Sequence, residues 1–505
     1  MKVKRLLHTL VLTAILLISS GAATARQTHY LSPNGNDAAD GLQASTPWRS
    51  FAHAFARMRG GDELLLLDGE YSDANGTGAM HFKGRYSAQP PSGPSFENPT
   101  LVRAGNPGKV WILGGLFVGR KDRKDSNIRI EGISFDNGGV LYNSSHITLK
   151  NCGFRGGFGI GTNDHHEGNT DNLVEDVWIW ASGERIIAIN YRAHQNVWRR
   201  VVVRGDGCGT SACSGSGNPN VGFTVYDSRD VSIQNMLIVD RILAPSDAPY
   251  SDFAVAQHTA DERYYFGRNE WLGTISLNSP DIGYYMEPDS GQTIDPTIKI
   301  SNAVGWNSMY GALNFARYST NNLIENITAS SVKGDVIRVA PELGSLGGTL
   351  RNAIAQGSGR YAINSAYPSS HVSTGGAAKP FNQSQCRTGC YRGNVLSDGS
   401  LKYLTRIEAA SPLKGKGFEG SDIGANVVFR YGADGSRFGQ PGHNALTKTS
   451  LWPWPNEERI KAEMCKEIKR GFCSSDRRLD GIGPVTLTSY IWEAIGHPLP
   501  KGIYP

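Results

Sequence analysis

The stretch Pro219–Arg241, PNVGFTVYDSRDVSIQNMLIVDR, decides how the chain folds. It holds an apolar-alternating run (VGFTVYD), a polar corner (SRD) and a second alternating run (VSIQNMLIVD). Alternation with a period of two is the mark of a half-buried strand. The phrase recurs. Corresponding runs start at Asn127, His146, Asn172, Asn196, Asp230, Thr297, Asn322 and Gly348, separated by 19, 26, 24, 34, 67, 25 and 26 residues. Repeats of this length stack into a solenoid, because one unit cannot bury its apolar side alone. Most spacings fit one coil of a three-faced β-helix. The 67-residue interval has room for a further coil around Tyr264–Asp289 and a long excursion. Asn127, Asn172, Asn196 and Asn322 stand at the start of strands, where Asn tolerates left-handed corner geometry.

Composition agrees with such a chain. Its 505 residues would ordinarily mean two or more globular domains, but a solenoid lengthens by adding coils. Apolar content of 39% and 61 glycines suit short strands and tight corners, and 47 aromatic residues exclude a disordered chain.

Residues 1–25 read as an export signal. Lys2, Lys4 and Arg5 form the charged start, Leu6–Ile18 the apolar core and Ala23-Thr24-Ala25 the cleavage motif. The apolar run is short for a membrane span. The formal charge is +5, and removal of those three cations leaves about +2. That balance excludes an electrostatic case for nucleic acid. The expected location is the periplasm or the extracellular space, with no membrane span after signal removal, and the chain is read as a monomer. Seven cysteines fit an oxidising compartment. Cys208/Cys213, Cys386/Cys390 and Cys465/Cys473 are close enough in sequence to staple loops, and Cys152 is left over in an apolar strand.

Downstream of the signal, HYLSPNGNDAADGLQASTPWRSFAHAFARMRGGDELLLLDGEY (29–71) gives a strand, a polar turn cluster, a helix from Thr46 to Arg59 and a buried strand Glu63–Leu67. Trp48, Phe51, Ala52, Phe55 and Met58 mark the apolar face of that helix. The series of landmarks resembles the N-terminal cap of secreted right-handed parallel β-helix proteins of the pectate-lyase-like superfamily. The resemblance covers about 40 residues. It implies an all-β, right-handed parallel β-helix with a cap helix and a loop-rich, partly helical C-terminal segment. It leaves the activity open, because the same cap precedes lyases, hydrolases and epimerases. The expected organisation is a signal at 1–25, cap and first coils at 26–110, β-helix at 111–370 and an irregular segment at 371–505 packed on the coils. In that segment Asn456 is expected to cap a helix beginning at Glu457, and Trp452 and Trp454 to dock the tail rather than stack on sugars.

Aligning the strand after each repeated phrase gives candidate functional residues. With Phe158/Ile160, Ile187/Ile189, Phe223/Val225, Phe253/Val255, Ile282/Tyr284, Leu313/Phe315 and Ile337/Val339 pointing inward, the opposite row carries polar residues. His258, Tyr226, Arg192, Glu287 and Asp227 are the catalytic candidates. Asn163, Asn190, Asn314, Arg317, Tyr318 and Arg338 are the candidates for substrate binding. Arg, Tyr and His on one face suit β-elimination of a uronic-acid polymer: a cation neutralises the carboxylate, a base removes the C5 proton and an acid protonates the leaving oxygen. Calcium could supply that cation; no other cofactor is implied. Asp227 and Glu287, two coils and roughly 10 Å apart, suit an inverting hydrolase instead. A C5-epimerase shares the proton-abstraction step, and a non-catalytic glycan-binding or matrix protein needs only the polar row. The run Asp164-His165-His166-Glu167 has metal-ligand chemistry, but adjacent histidines diverge on an extended chain, so no metal site is assigned. Clustered Asp motifs of polygalacturonases and of the calcium sites of pectate lyases are not found in the sequence.

Overall fold

Between its first and second strands each coil turns on one left-handed residue. Asn151, Asp176, Arg200, Asn235, Asn302, Asn326 and Asn352 all have φ between 47 and 56° and occupy the same corner of their coils, with Gly273 (φ 65°) taking it in the coil between Asn235 and Asn302. In a computed structural model, residues 25–80, 88–161, 168–180, 186–205, 221–242, 251–256, 267–287, 297–315, 321–339, 348–357, 359–383, 385–466 and 469–504 are described.

The strands form three parallel faces of a right-handed β-helix. One coil illustrates the plan: Ser144–Lys150 lies on the first face, Gly153–Arg155 on the second and Phe158–Ile160 on the third. These pair in parallel with Asp125–Glu131, Ser134–Phe135 and Gly139–Leu141 of the coil before. Later strands such as Ile298–Ser308 run around the corner and pair on both the first and second faces. The third face is a separate sheet of eleven strands, from Leu116–Val118 to Lys379–Gln383.

Inward side chains fill one continuous core from Leu31 to Val372. Stacked aromatics run along it: Phe135 on Phe154 at 5.0 Å and Phe253 on Tyr284 at 4.7 Å between ring centres. The asparagines at the strand starts act differently from expectation, apart from Asn127, which is itself left-handed. At the other positions the preceding residue, Asp171, Gln195 or Asn321, takes the positive φ. The buried Asn172 and Asn196 instead bond across coils: Asn196 Oδ1 accepts from Asn172 Nδ2 at 3.1 Å, and Asn172 Oδ1 from the Ile147 amide at 3.0 Å. Such amides satisfy backbone groups that a corner leaves unpaired in the interior.

The cap helix α1 (Phe51–Arg57) is shorter than the Thr46–Arg59 reading. Ser50 is its N-cap, accepting from the His53 amide, and Asp37 in turn binds the Ser50 hydroxyl. Trp48 lies outside the helix and bridges to Leu31. Phe51, Ala54 and Phe55 close the end of the core.

The coils also extend beyond residue 370. Ser369–Gly375, Lys379–Gln383 and Cys390–Arg392 still stack in register, so the solenoid runs from Thr28 to Arg392. The remaining chain folds back along the solenoid. Contacts proceed from late coils to early ones: Phe418 with Asn352, Ala425 with Thr328, Asn426 with Asn302, Tyr431 with Asn235, and Glu463 with Ser134. Two helices, α2 (Glu457–Met464) and α3 (Leu487–Trp492), belong to this tail. Asn456 precedes α2 but does not cap it with its side chain, which donates to Asn151 instead.

Candidate active site on the third sheet

The tail covers the second sheet. Trp178, Val202, Leu237, Ile275 and Val304 project outward from the second sheet and form an apolar cluster with Leu451, Trp452, Trp454 and Trp492. Trp452 and Trp454 are 4% and 2% exposed, so they dock the tail and present no platform for a sugar. On the first sheet, outward charges form pairs such as Lys150–Glu175, Arg199–Glu175 and Arg351–Glu325. The third sheet keeps a graded polar surface.

On that sheet the register sets two rows. Tyr191, Tyr226, Ala256 and Glu287 lie side by side in four successive coils. The Tyr191 and Tyr226 rings are 5.0 Å apart. Arg192 follows Tyr191 at a left-handed corner, with its guanidinium 5.1 Å from the Tyr191 ring centre. Its Nε donates to Asp227 Oδ2 at 3.2 Å. The second row lies two residues closer to the strand starts and runs Tyr285, Asn314, Arg338, Asn364 and Asn382. Arg338 Nη1 donates to Asn314 Oδ1 at 3.4 Å, and Asn364 is held by Asp335 at 2.7 Å.

The predicted residues fare unequally. Tyr226, Arg192 and Glu287 share the upper end of the face, and Asn314 and Arg338 lie in the second row. Asn190 does not reach the surface. The expected inward pair Ile187/Ile189 is one residue out of register: Ala188 and Asn190 align with Phe223 and Val225 of the next coil and point inward. Asn190 is fully buried, and its amide oxygen accepts from Trp198 Nε1 at 3.2 Å. Asp227 is also fully buried, and its carboxylate anchors Arg192 rather than facing solvent. His258, Asn163, Arg317, Tyr318 and the 164–167 run lie outside the described residues. The residues that strand reading missed are Tyr191, Tyr285, Asn364 and Asn382. Tyr191 was hidden by the slipped register. The others needed the strand pairing itself to appear as a row.

A buried ion group supports the corner that leads to Glu287. Arg241 Nε donates to Asp252 Oδ1 at 2.8 Å, and Ser276 Oγ to Asp252 Oδ2 at 2.6 Å. Burial pushes the neighbouring Asp281 carboxyl up to about 7; Arg241 opposes this and the Asp252 charge adds to it. Among the described residues, no cluster of three or more His, Cys, Asp or Glu is arranged to hold a metal. Among the described residues two disulfides are present, Cys386–Cys390 and Cys465–Cys473, while Cys152 is buried and unoxidised. Cys208 and Cys213 lie outside the described residues. No described helix is long and apolar enough to cross a membrane.

No protein-family model matches the sequence, and no curated protein matches it. Solved structures do. The chain is similar to pectate lyase Pel9A. That alignment has 14% identity, covers 80% of this chain and 96% of the other, and has a TM-score of 0.45. XylC in complex with xylose aligns at 8% identity over 72% of this chain and 86% of that one, with a TM-score of 0.47. The periplasmic alginate epimerase AlgG aligns at 9% identity over 66% and 77%, with a TM-score of 0.38. The β-helix assignment itself rests on the strand register described above.

Proposed function

We propose that this protein is an exported carbohydrate-active enzyme that cleaves an acidic polysaccharide by β-elimination on its third sheet. The observation that carries the reading is the in-register row of Tyr191, Tyr226 and Glu287 with Arg192 held beside it by Asp227. The two disulfides are in keeping with an oxidising compartment.

In this reading Arg192 neutralises the carboxylate of the reacting unit and lowers the cost of a carbanion at C5, while Arg338, five coils further along the face, meets the carboxylate of a distant unit of the polymer. His258 takes the C5 proton. The C5–H electron pair forms the C4–C5 double bond as the C4–O bond breaks, and Tyr226 gives its phenolic proton to the departing oxygen. The product is an unsaturated uronide and a new reducing end. The two-carboxylate alternative is weakened because Asp227 is committed to Arg192 and shielded from water.

The test is a screen of uronic-acid and neutral polysaccharides, with and without chelator, that reads unsaturated-uronide absorbance and reducing ends together. Both signals rising supports elimination; reducing ends without absorbance would mean hydrolysis. An inverted C5 without cleavage would mean epimerisation, and retained binding with unchanged polymer would mean a binding protein. On the substrate so found, Tyr226→Phe and His258→Ala are expected to lower kcat at least ~100-fold with an unchanged thermal midpoint. Full activity in either variant removes that residue from the mechanism.

A further inference from the structure

The last coils of the solenoid differ in charge from the rest of the chain. Residues 343–397 contain Arg351, Arg360, Lys379, Arg387 and Arg392 and no Asp or Glu, although the whole chain nearly balances 51 basic against 46 acidic residues. Arg351 and Arg360 are paired, with Glu325 at 2.7 Å and Asp335 at 3.7 Å. Lys379, Arg387 and Arg392 are exposed and have no carboxylate partner among the described residues. These three mark the end of the stack, one on each face. Lys379 opens the strand Lys379–Gln383, the last of the third sheet. Arg387 follows Cys386, which bridges to Ser369 on the first face. Arg392 ends Cys390–Arg392, which pairs with Val372–Thr374 on the second. The positions are fixed: the Lys379 ammonium lies 5.7 Å from the Tyr361 ring centre, and Arg387 sits inside the Cys386–Cys390 bridge with its amide donating to the Ser369 carbonyl at 2.9 Å. The next acid along the chain, Asp398, accepts from the Ser400 amide at 2.8 Å and pairs with none of the three.

We propose that this end of the solenoid is a second contact for an acidic polysaccharide, a cationic anchor that takes carboxylates of the polymer where it leaves the third sheet. The proposal rests on the glycan-enzyme reading above and extends it along the substrate. Three features support it. Cations without counter-ions raise the potential at this end, which draws an anionic chain and gives a neutral one no advantage. The anchor also lies on the path of the polymer: Asn382, last in the second row, shares a strand with Lys379. Six strand pairings separate that strand from Tyr226, about 29 Å, so the anchor meets units far from the reacting one. Finally, the end is not shaped for a further strand. The Lys379 amide bonds back to the Arg360 carbonyl at 3.0 Å, so the next position faces outward, and it is Pro380, which has no N–H to give. That disfavours a second copy stacked on the end and leaves the side-chain cations as its means of recognition.

The test is retardation in native gels containing polygalacturonate, alginate or hyaluronate, with galactomannan as the neutral arm. The wild-type protein is expected to be retarded by at least one acidic polymer and not by galactomannan. Joint replacement Lys379→Glu, Arg387→Glu and Arg392→Glu is expected to weaken that retardation at least tenfold with an unchanged thermal midpoint. Lys379→Arg with Arg387→Lys and Arg392→Lys keeps the charges and is expected to keep the retardation. Should the reversed protein fail to fold, glutamine at the three positions gives the same readout. Equal retardation of wild type and the charge-reversed protein, equal retardation by galactomannan, or none in any gel would overturn the proposal. So would a dimer in size-exclusion chromatography that the reversal dissolves, since it would assign the end to a second copy. This readout is independent of turnover. Anchor-dependent retardation without unsaturated product would reject the elimination chemistry and leave the anchor standing; unsaturated product with equal retardation of both proteins would do the reverse.

Discussion

Asp227 carries more of the site than its burial suggests. A fully buried carboxylate is costly unless paired, and here its partner is Arg192, whose side chain is 21% exposed. The pair fixes the cation at the strand end, where an unpaired arginine would sample many rotamers. In the proposed mechanism Asp227 therefore acts as a positioning residue. Asp227→Asn is expected to raise KM for an acidic polymer about tenfold while kcat changes less than about threefold, whereas a purely structural role would lower activity in step with folded protein. Steady-state kinetics beside a melting curve distinguish the two. The sequence made Arg192 and Asp227 visible as polar residues after apolar strands. It could not show that one faces water and the other does not, because a corner residue has no periodicity to read. Asn190 shows the same limit: a one-residue slip in IIAINY exchanges inside for outside.

Among the elements, coils were the most legible. All eight phrase starts fall in or within two residues of first-sheet strands, and the long interval contains the strands Asn269–Leu272, Ile275–Leu277 and Ile282–Glu287. Period-two alternation survives because each strand buries one side in the same core. The tail was less legible, since its contacts are with residues hundreds of positions away. Glu463 in α2 receives hydrogen bonds from Ser134 and Trp178 at 2.9 and 2.8 Å, and nothing local announces this. The Cys465–Cys473 bridge joins the end of α2 to a turn that meets Arg204, whose guanidinium donates to the Arg470 carbonyl at 3.0 Å. Replacing both cysteines with serine is expected to destabilise tail docking by ~2 kcal/mol. Limited proteolysis would then cut between residues 465 and 504 earlier than in wild type, leaving the coils intact; an unchanged cleavage rate would show that the bridge is dispensable.

For the whole molecule, the link between tail and solenoid responds to acid. Glu175 is buried on the first sheet, which by itself would raise its pKa, but Arg200 and Lys150 prevail and hold the carboxyl down at about 2. The Gly435 amide of the tail donates to the same carboxylate at 3.0 Å. A depressed carboxyl contributes stability that is present above its ordinary value of 4.5 and is lost as pH falls towards 2. Glu175→Gln should therefore flatten the fall in thermal midpoint between pH 4.5 and 2 and lower the midpoint at pH 7. A parallel fall in both proteins would assign the acid sensitivity to other groups.

The returning tail also changes what kind of object the solenoid is. A bare stack of coils couples only to nearest neighbours, so its ends can fray while its middle stays folded. Here one segment touches coils from Asn352 back to Ser134 and ties them in parallel. Coils far apart in the stack thus share one covalent strap, and a local opening at any of them also costs a tail contact.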